Sequence, residues 1–152
     1  MKDFDEVDII LGIKVKKYNG DYSLCQSHYI KKVLLEFNYL KFKQTNTLYD
    51  SSIKLLENSG RAVAQLEYAS VVGSLMNAMH CTMPDIAFAV CKMSRFTSNP
   101  NVEHWKANGR ILGYLKMTIH LGLFYNDYPE VLEAYSDVSW ITNTSDNKST
   151  SD

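Results

Sequence analysis

Apolar and polar residues alternate along the first part of the chain. Between residues 7 and 17 an apolar residue falls at every second position, which is the period of a β-strand. Asn19-Gly20 follows directly, and this pair favours a two-residue hairpin turn because both of its positions tolerate a positive φ. The pattern therefore predicts one strand, a tight turn and a second strand, with the pairs Lys17–Tyr22 and Val15–Leu24.

Four later stretches carry apolar residues every three or four positions, the period of a helix with one buried side. The first begins at Ser27, the predicted N-cap, and the second runs from about residue 66 to residue 81. The third begins at Thr82-Met83-Pro84-Asp85, where a hydroxyl cap, a first-turn proline and an acid together mark a helix start. The fourth spans about residues 102–116. The predicted buried stripes are Ile30, Val33, Leu34 and Phe37; Val72, Leu75, Met76 and Met79; Ile86, Ala89, Val90, Met93 and Phe96; and Trp105, Ile111, Leu112 and Leu115.

The remaining segments complete a predicted α+β fold. Residues 40–64 are polar and have no clear period, which indicates a long connection. Residues 121–125 and 131–138 have the composition of two strands. We therefore predict an N-terminal β-hairpin, about four packed helices and a C-terminal β-hairpin.

Composition excludes several classes of protein. The 152 residues are 45% hydrophobic and 22% charged, as in a globular domain. No apolar run reaches the roughly 20 residues that cross a bilayer, and the first residues do not resemble a signal peptide. The three cysteines, Cys25, Cys81 and Cys91, are odd in number and have no CxxC spacing. We expect an intracellular protein in a reducing compartment, with no membrane partner. The sequence does not distinguish the cytoplasm from the nucleus as its location.

The net charge of −1 hides an uneven distribution. Many of the lysines lie between residues 14 and 43, where Asp21 and Glu36 are the only acids, and tyrosines and phenylalanines are interspersed among them. A surface that binds nucleic acid needs cations that contact phosphates and aromatic rings that stack on bases. The same pattern also fits a solvated lysine face over an aromatic core. Lys14 and Lys16 are predicted to share one strand face, while Val15 and Leu24 hold the opposite face against the core.

The sequence contains few features of a metal site or of a catalytic nucleophile. No Asp-Asp pair occurs, and Asp3, Asp5 and Asp8 are interpreted as a solvated lead-in to the first strand. His80-Cys81 with Cys91 could supply three zinc ligands, but the cysteines lie in apolar helices without metal-ligand spacing, which favours inert thiols. No signature of a hydrolase triad and no glycine-rich phosphate loop is present.

A series of short motifs nevertheless resembles one known family. They are, in order, Ile10-Leu11-Gly12-Ile13, Gln26-Ser27-His28-Tyr29-Ile30, Tyr68-Ala69-Ser70-Val71-Val72-Gly73-Ser74-Leu75-Met76, Pro84-Asp85-Ile86-Ala87, Ser94-Arg95-Phe96, Glu103-His104-Trp105, Leu112-Gly113-Tyr114-Leu115-Lys116, and Ala134-Tyr135-Ser136-Asp137 with Lys148-Ser149-Thr150-Ser151. In this order and spacing they resemble the Pol polyprotein of copia-type long-terminal-repeat retrotransposons.

The resemblance implies a position and a set of roles. Residues 1–118 correspond to a primer-grip, thumb and connection fragment of reverse transcriptase, and residues 119–152 to the incomplete start of a ribonuclease H sheet. The hairpin, at Leu11-Gly12, would approach the primer strand, and five lysines would contact nucleic acid. Asp137 resembles a vestigial form of the first metal-binding aspartate of ribonuclease H, with Val138-Ser139 in place of the usual residues after it, and it fits a surface aspartate at a strand end at least as well. The implied nucleic-acid residues are Leu11, Gly12, Lys14, Lys16, Lys17, Lys31 and Lys32.

Without the paired aspartates we expect no catalysis by the chain alone. The intact family enzyme uses Mg²⁺, whereas no cofactor is expected in this chain by itself. The expected partners are an RNA–DNA or DNA duplex, bound weakly, together with the polymerase palm and fingers and the remainder of ribonuclease H. The alternative is a domesticated protein-interaction module with no nucleic-acid role.

Overall fold

The computed structural model of the chain describes residues 9–10, 12–18, 21–38, 45–48 and 55–126. Within these ranges, four strands and four α-helices form the mixed α and β architecture that the sequence predicts. The elements, in chain order, are β1 (Ile9–Ile10), β2 (Ile13–Tyr18), β3 (Asp21–Cys25), α1 (Ser27–Glu36), α2 (Gln65–Cys81), a 3₁₀ turn (Pro84–Ile86), α3 (Ala87–Ser94), α4 (Val102–Met117) and β4 (Leu123–Tyr125).

The strands form one antiparallel sheet in the order β1-β2-β3-β4. The predicted pairs Lys17–Tyr22 and Val15–Leu24 are confirmed. The single strand predicted over residues 7–17 is wrong, because the chain reverses at Gly12 and pairs β1 with β2. Gly12 has φ +82°, a conformation that glycine adopts without the steric cost of a Cβ.

The last described strand joins the N-terminal hairpin. β4 pairs with β3, so that Leu24 lies opposite Leu123 and Tyr22 opposite Tyr125. Gly122, just before β4, lies so close to the Leu24 carbonyl that a Cβ there would collide with it. The segment predicted to begin the ribonuclease H sheet thus contributes β4 to this sheet. The other predicted C-terminal strand, residues 131–138, lies outside the described residues.

The hydrophobic core is formed by the helices and their short linkers. All four predicted stripes face it, although Met76 on α2 is exposed rather than buried. No described strand residue belongs to this cluster, so the sheet extends from a helical body that is packed without it. The buried members are Ile30, Val33, Leu34, Tyr68, Val71, Val72, Leu75, Ala78, Met83, Ile86, Ala89, Val90, Met93, Ile111, Leu112 and Leu115.

A buried hydrogen bond joins the start of α1 to the end of α2. The Thr82 hydroxyl donates to Oε1 of Gln26 at 2.9 Å, and both side chains are almost fully buried. Two predicted caps are therefore wrong. Ser27 is the first residue of α1, with Gln26 at its N-cap position, and Thr82 ends α2 instead of capping the next helix. The Thr82 hydroxyl bonds a residue 56 positions away in the chain. Rules for helix caps consider only neighbouring residues, so they do not predict this partner.

Of the long predicted connection, residues 45–48 and 55–64 are described; they form neither helix nor strand and run back along α4. The Thr45 hydroxyl donates to the Arg110 carbonyl at 2.8 Å near the C-terminal half of that helix. At the other end, Nε1 of Trp105 donates to the Val63 carbonyl at 2.9 Å. Of the helices in the part of the chain that the structure describes, none is long and apolar enough to cross a membrane.

Candidate nucleic-acid interface

The three lysines of β2 lie on a sheet that stands outside the core. Because side chains alternate along a strand, Lys14 and Lys16 occupy one face and Lys17 the other. Lys16 and Lys17 are exposed, and Lys14 is half-buried. In the described part of the chain no carboxylate forms an ion pair with them.

The face opposite Lys14 and Lys16 is not held against the core as predicted. Val15 and Leu24 are only half-buried, and neither belongs to the core cluster. β4 places Leu123 beside Leu24, so that these residues form an apolar row across three strands of the sheet itself. The helices meanwhile fill the core without them.

A second row on the same face consists of Lys17, Tyr22 and Tyr125, and we call it the aromatic row. Lys17 pairs with Tyr22 across β2 and β3, and Tyr22 pairs with Tyr125 across β3 and β4. The Lys17 Nζ lies 5.7 Å from the centroid of the Tyr22 ring, within cation–π range. Both tyrosines keep nearly half of their surface exposed, 46% for Tyr22 and 47% for Tyr125.

The helix lysines lie close to the sheet along the chain. Lys31 and Lys32 are exposed on α1, on the side away from its buried residues. Only Gln26 separates the end of β3 from the start of α1. Since Lys14 pairs with Cys25, the last residue of β3, Lys14 lies at the end of the sheet from which α1 leaves.

The structure describes one of the two residues that the resemblance places near the primer strand. Gly12 is exposed between β1 and β2, and a Cβ there would meet no atom within 4 Å. Glycine is therefore favoured at this position by the positive φ of the backbone, and not by a lack of space for a side chain. Leu11 and Asp137 lie outside the described residues, so the roles that the sequence predicts for them stay predictions.

Sequence reasoning missed two polar residues on the inner side of α4. His104 and Asn108 are both fully buried, and the ring of His104 stacks on Phe96 with centroids 3.9 Å apart. Burial lowers the pKa of His104 below its usual 6.5. The asparagine at position 101 could have indicated part of this arrangement, because asparagine is a preferred N-cap. Among the described residues no group of three or more histidine, cysteine, aspartate or glutamate side chains could hold a metal ion.

Several proteins similar to this chain are named after transposons. The retrovirus-related Pol polyprotein from transposon TNT 1-94 of Nicotiana tabacum is 37% identical over 98% of this chain and 12% of its own length. The corresponding polyprotein from transposon RE1 of Arabidopsis thaliana is 36% identical over 99% of this chain and 10% of its own length. A putative transposon Ty5-1 protein of Saccharomyces cerevisiae is 33% identical over 91% of this chain and 46% of its own length.

These similarities support a retrotransposon origin for the chain and extend over nearly all of it. The chain spans about a tenth of the length of the two Pol polyproteins. No protein-family model matches it. No solved structure matches it either. The resemblance predicted from short motifs is thus supported at the level of the transposon polyprotein.

Proposed function

We propose that this retrotransposon-derived segment grips the template–primer duplex of a reverse transcriptase and leads into the start of its ribonuclease H. Lys14 and Lys16 on one face of the sheet, with Lys31 and Lys32 on α1, contact the phosphate backbone of an RNA–DNA or DNA duplex, whereas Lys17, which the resemblance also implies, lies on the opposite face of β2. The names of the related proteins supply the transposon context. The exposed sheet supplies the surface.

The observation that carries the proposal is the placement of Lys14 and Lys16 on one face of β2. The sheet stands outside the hydrophobic core, so this face is not consumed by packing against the helices. Lysine ammonium groups bind phosphates as point charges and release condensed counterions when they do so. An open lysine face at the junction with α1 is therefore suited to contacts that do not depend on base sequence.

Binding by this segment alone is weak and non-catalytic. The net charge of −1 provides little general attraction to nucleic acid, so affinity depends on where the lysines lie. We expect dissociation constants on the order of 10⁻⁴ to 10⁻⁶ M at physiological salt. The described residues do not provide a carboxylate cluster for Mg²⁺, and no step of polymerisation or cleavage is assigned to them. Grip on the duplex is the whole of the proposed activity.

Fluorescence anisotropy with a labelled RNA–DNA duplex tests the proposal. The variant K14Q/K16Q/K31Q/K32Q should lose most of its affinity, and the loss should be similar for every duplex sequence. For a single-site comparison, Lys16→Gln should weaken binding and shallow its salt dependence. Lys106→Gln should change neither, because Lys106 lies on α4 and is engaged with Glu103 at 2.8 Å.

Two results would overturn the duplex grip. The first is equal affinity of the quadruple variant and the unmodified chain. The second is binding that is indifferent to salt between low and physiological ionic strength, since counterion release makes phosphate contacts strongly salt-dependent. Either would favour the alternative that the sequence left open, a protein-interaction module.

A further inference from the structure

We propose that the aromatic row Lys17–Tyr22–Tyr125 is a stacking platform for unpaired nucleobases. It rests on the proposed function, because it assumes that nucleic acid reaches the sheet. It adds a second binding site, on the sheet face opposite Lys14 and Lys16, with a different ligand chemistry. The lysine face takes phosphates of any nucleic acid, whereas the platform takes the exposed bases of a single strand.

The sheet register aligns the three side chains. Residues that pair directly across antiparallel strands project from the same face, so Lys17, Tyr22 and Tyr125 form a line across β2, β3 and β4. Neighbouring strands lie about 4.8 Å apart, so the line extends over about 10 Å. The two tyrosines therefore lie side by side on adjacent strands of one sheet face.

The two tyrosines of the row differ from those of the helical body. Tyr68, Tyr29 and Tyr114 each donate a hydroxyl hydrogen bond, to the Met93 carbonyl, the Ser74 carbonyl and the Asp85 carboxylate respectively. In the part of the chain that the structure describes, the hydroxyls of Tyr22 and Tyr125 donate no such bond, and their rings lie outside the core. Among the described residues Lys17 is the one side chain that contacts these rings, at Tyr22, and both rings remain about half exposed to an external partner.

Charge selects nucleic acid as the occupant. The Lys17 ammonium lies over the Tyr22 ring, so it adds a positive charge to the platform and favours one ring orientation. Lys14 and Lys16 lie on the same strand, and Asp21 is the only acid of the hairpin formed by β2 and β3. Aromatic rings beside cations bind single strands by stacking on bases while the cations meet the phosphates. A duplex keeps its bases stacked internally, so the platform requires unpaired ones.

The test compares two labelled probes of equal length, a mixed-sequence DNA 12-mer and its abasic counterpart. The two carry the same phosphates, so only base stacking distinguishes them. The unmodified chain should bind the normal strand more tightly. The variant Y22L/Y125L should lose at least about fivefold of that affinity, and its binding of the abasic strand should be unchanged. Y22F/Y125F keeps the rings and should behave like the unmodified chain.

Phe124→Leu is the matched control. Phe124 is 71% exposed on the same strand as Tyr125, but it points to the opposite face. Its replacement should leave the preference for the normal strand intact. If Y22L/Y125L fails to fold, as judged by circular dichroism, Tyr22→Trp provides a second readout. Emission from the introduced indole, separated from that of the native tryptophans by difference spectra, should be quenched by the normal strand and not by the abasic one.

The outcomes separate this platform from the duplex grip. Equal affinity for normal and abasic strands, or equal losses in Y22L/Y125L and Phe124→Leu, overturns the platform. If the lysine variants still weaken duplex binding in those experiments, the proposed function stands without it. If neither strand nor the duplex binds the unmodified chain, both proposals are wrong.

Discussion

Asn101 and His104 form a reciprocal cap at the N-terminus of α4, in which each side chain accepts a hydrogen bond from the other residue's backbone N–H. The backbone N–H of His104 donates to Oδ1 of Asn101 at 3.0 Å, and the backbone N–H of Asn101 donates to Nδ1 of His104 at 3.0 Å. Because Nδ1 accepts, the neutral imidazole carries its proton on Nε2. Protonation of the ring would place a hydrogen on Nδ1 and remove the acceptor. The cap therefore depends on an uncharged histidine.

The stability of the fold should fall as the pH is lowered below about 6.5. Burial lowers the pKa of His104 from 6.5, against the opposing influence of the Leu56 carbonyl and the Glu103 carboxylate. The unfolded chain therefore takes up a proton at a higher pH than the folded chain does. Between 6.5 and the lowered pKa of the folded state, each step down in pH favours unfolding. Urea titrations of the unmodified chain from pH 7.5 to pH 5.5 measure this loss.

His104→Gln is the control for the pH experiment. The variant should be less stable at pH 7.5, and its remaining dependence on pH should be shallower. The exposed histidines His28, His80 and His120 are present in both proteins, so their contributions cancel in the comparison. Identical pH slopes in the two proteins would contradict the assignment to His104.

Removal of the other half of the cap should destabilise the start of α4. Asn101→Ala deletes the acceptor for the His104 N–H, and loss of such an N-cap costs about 1 kcal/mol. Asn101→Asp keeps an acceptor and should retain most of the stability. Urea unfolding compares the three proteins, and a cost for Asn101→Asp as large as that for Asn101→Ala would contradict the capping role.

Two glycine replacements should act in opposite directions. A Cβ at position 122 would collide with the Leu24 carbonyl, so Gly122→Ala should separate β4 from β3. Gly73 lies exposed within α2 with nothing within 4 Å of an added Cβ, so Gly73→Ala should stabilise the protein by roughly 0.5–1 kcal/mol. Hydrogen exchange should show faster exchange along β3 and β4 in Gly122→Ala only. Unchanged protection there would mean that the close approach does not matter.

The Thr82–Gln26 hydrogen bond should contribute through the cost of leaving a buried group unpaired. Thr82→Val removes the donor and leaves the Gln26 amide oxygen without it, which costs about 1–3 kcal/mol. Gln26→Leu with Thr82→Val removes both polar groups and should recover part of that loss. A double-mutant cycle measured by urea unfolding gives the coupling. Strict additivity of the two single changes would show that the contact contributes nothing.

The chain by itself should not extend a primer. It contains no Asp-Asp pair with which to hold the catalytic metal ions of a polymerase. Incubation of the purified chain with Mg²⁺, primer–template and nucleotides should therefore give no longer product on a sequencing gel. Extension that persists through repurification would contradict the proposed non-catalytic role.

Local features of the fold were predictable because their causes lie within a few residues. The hairpin register follows from Asn19-Gly20 and the alternating apolar residues on either side of it. The four helices follow from apolar spacing, and α2 and α4 begin and end within a residue or two of the predicted limits. The wrong prediction of a single first strand also arose from a local pattern. Gly12 fits the alternation of a single strand, but its φ is positive and the chain reverses there. The alternation of apolar and polar residues carries no information about the backbone angle φ.

What the sequence by itself determined is the four helices, the hairpin of β2 and β3, the uneven charge and the likeness to transposon Pol polyproteins, since each depends on nearby residues or on motif order. Tertiary structure alone decided that β4 pairs with β3 and that the sheet stands outside the core. It also decided that Tyr125 comes beside Tyr22 and that Thr82 bonds Gln26. These contacts join residues far apart in the chain, and their partners are selected by competition for space and hydrogen bonds. No local period encodes that competition, which is why the aromatic row became visible only in the folded molecule.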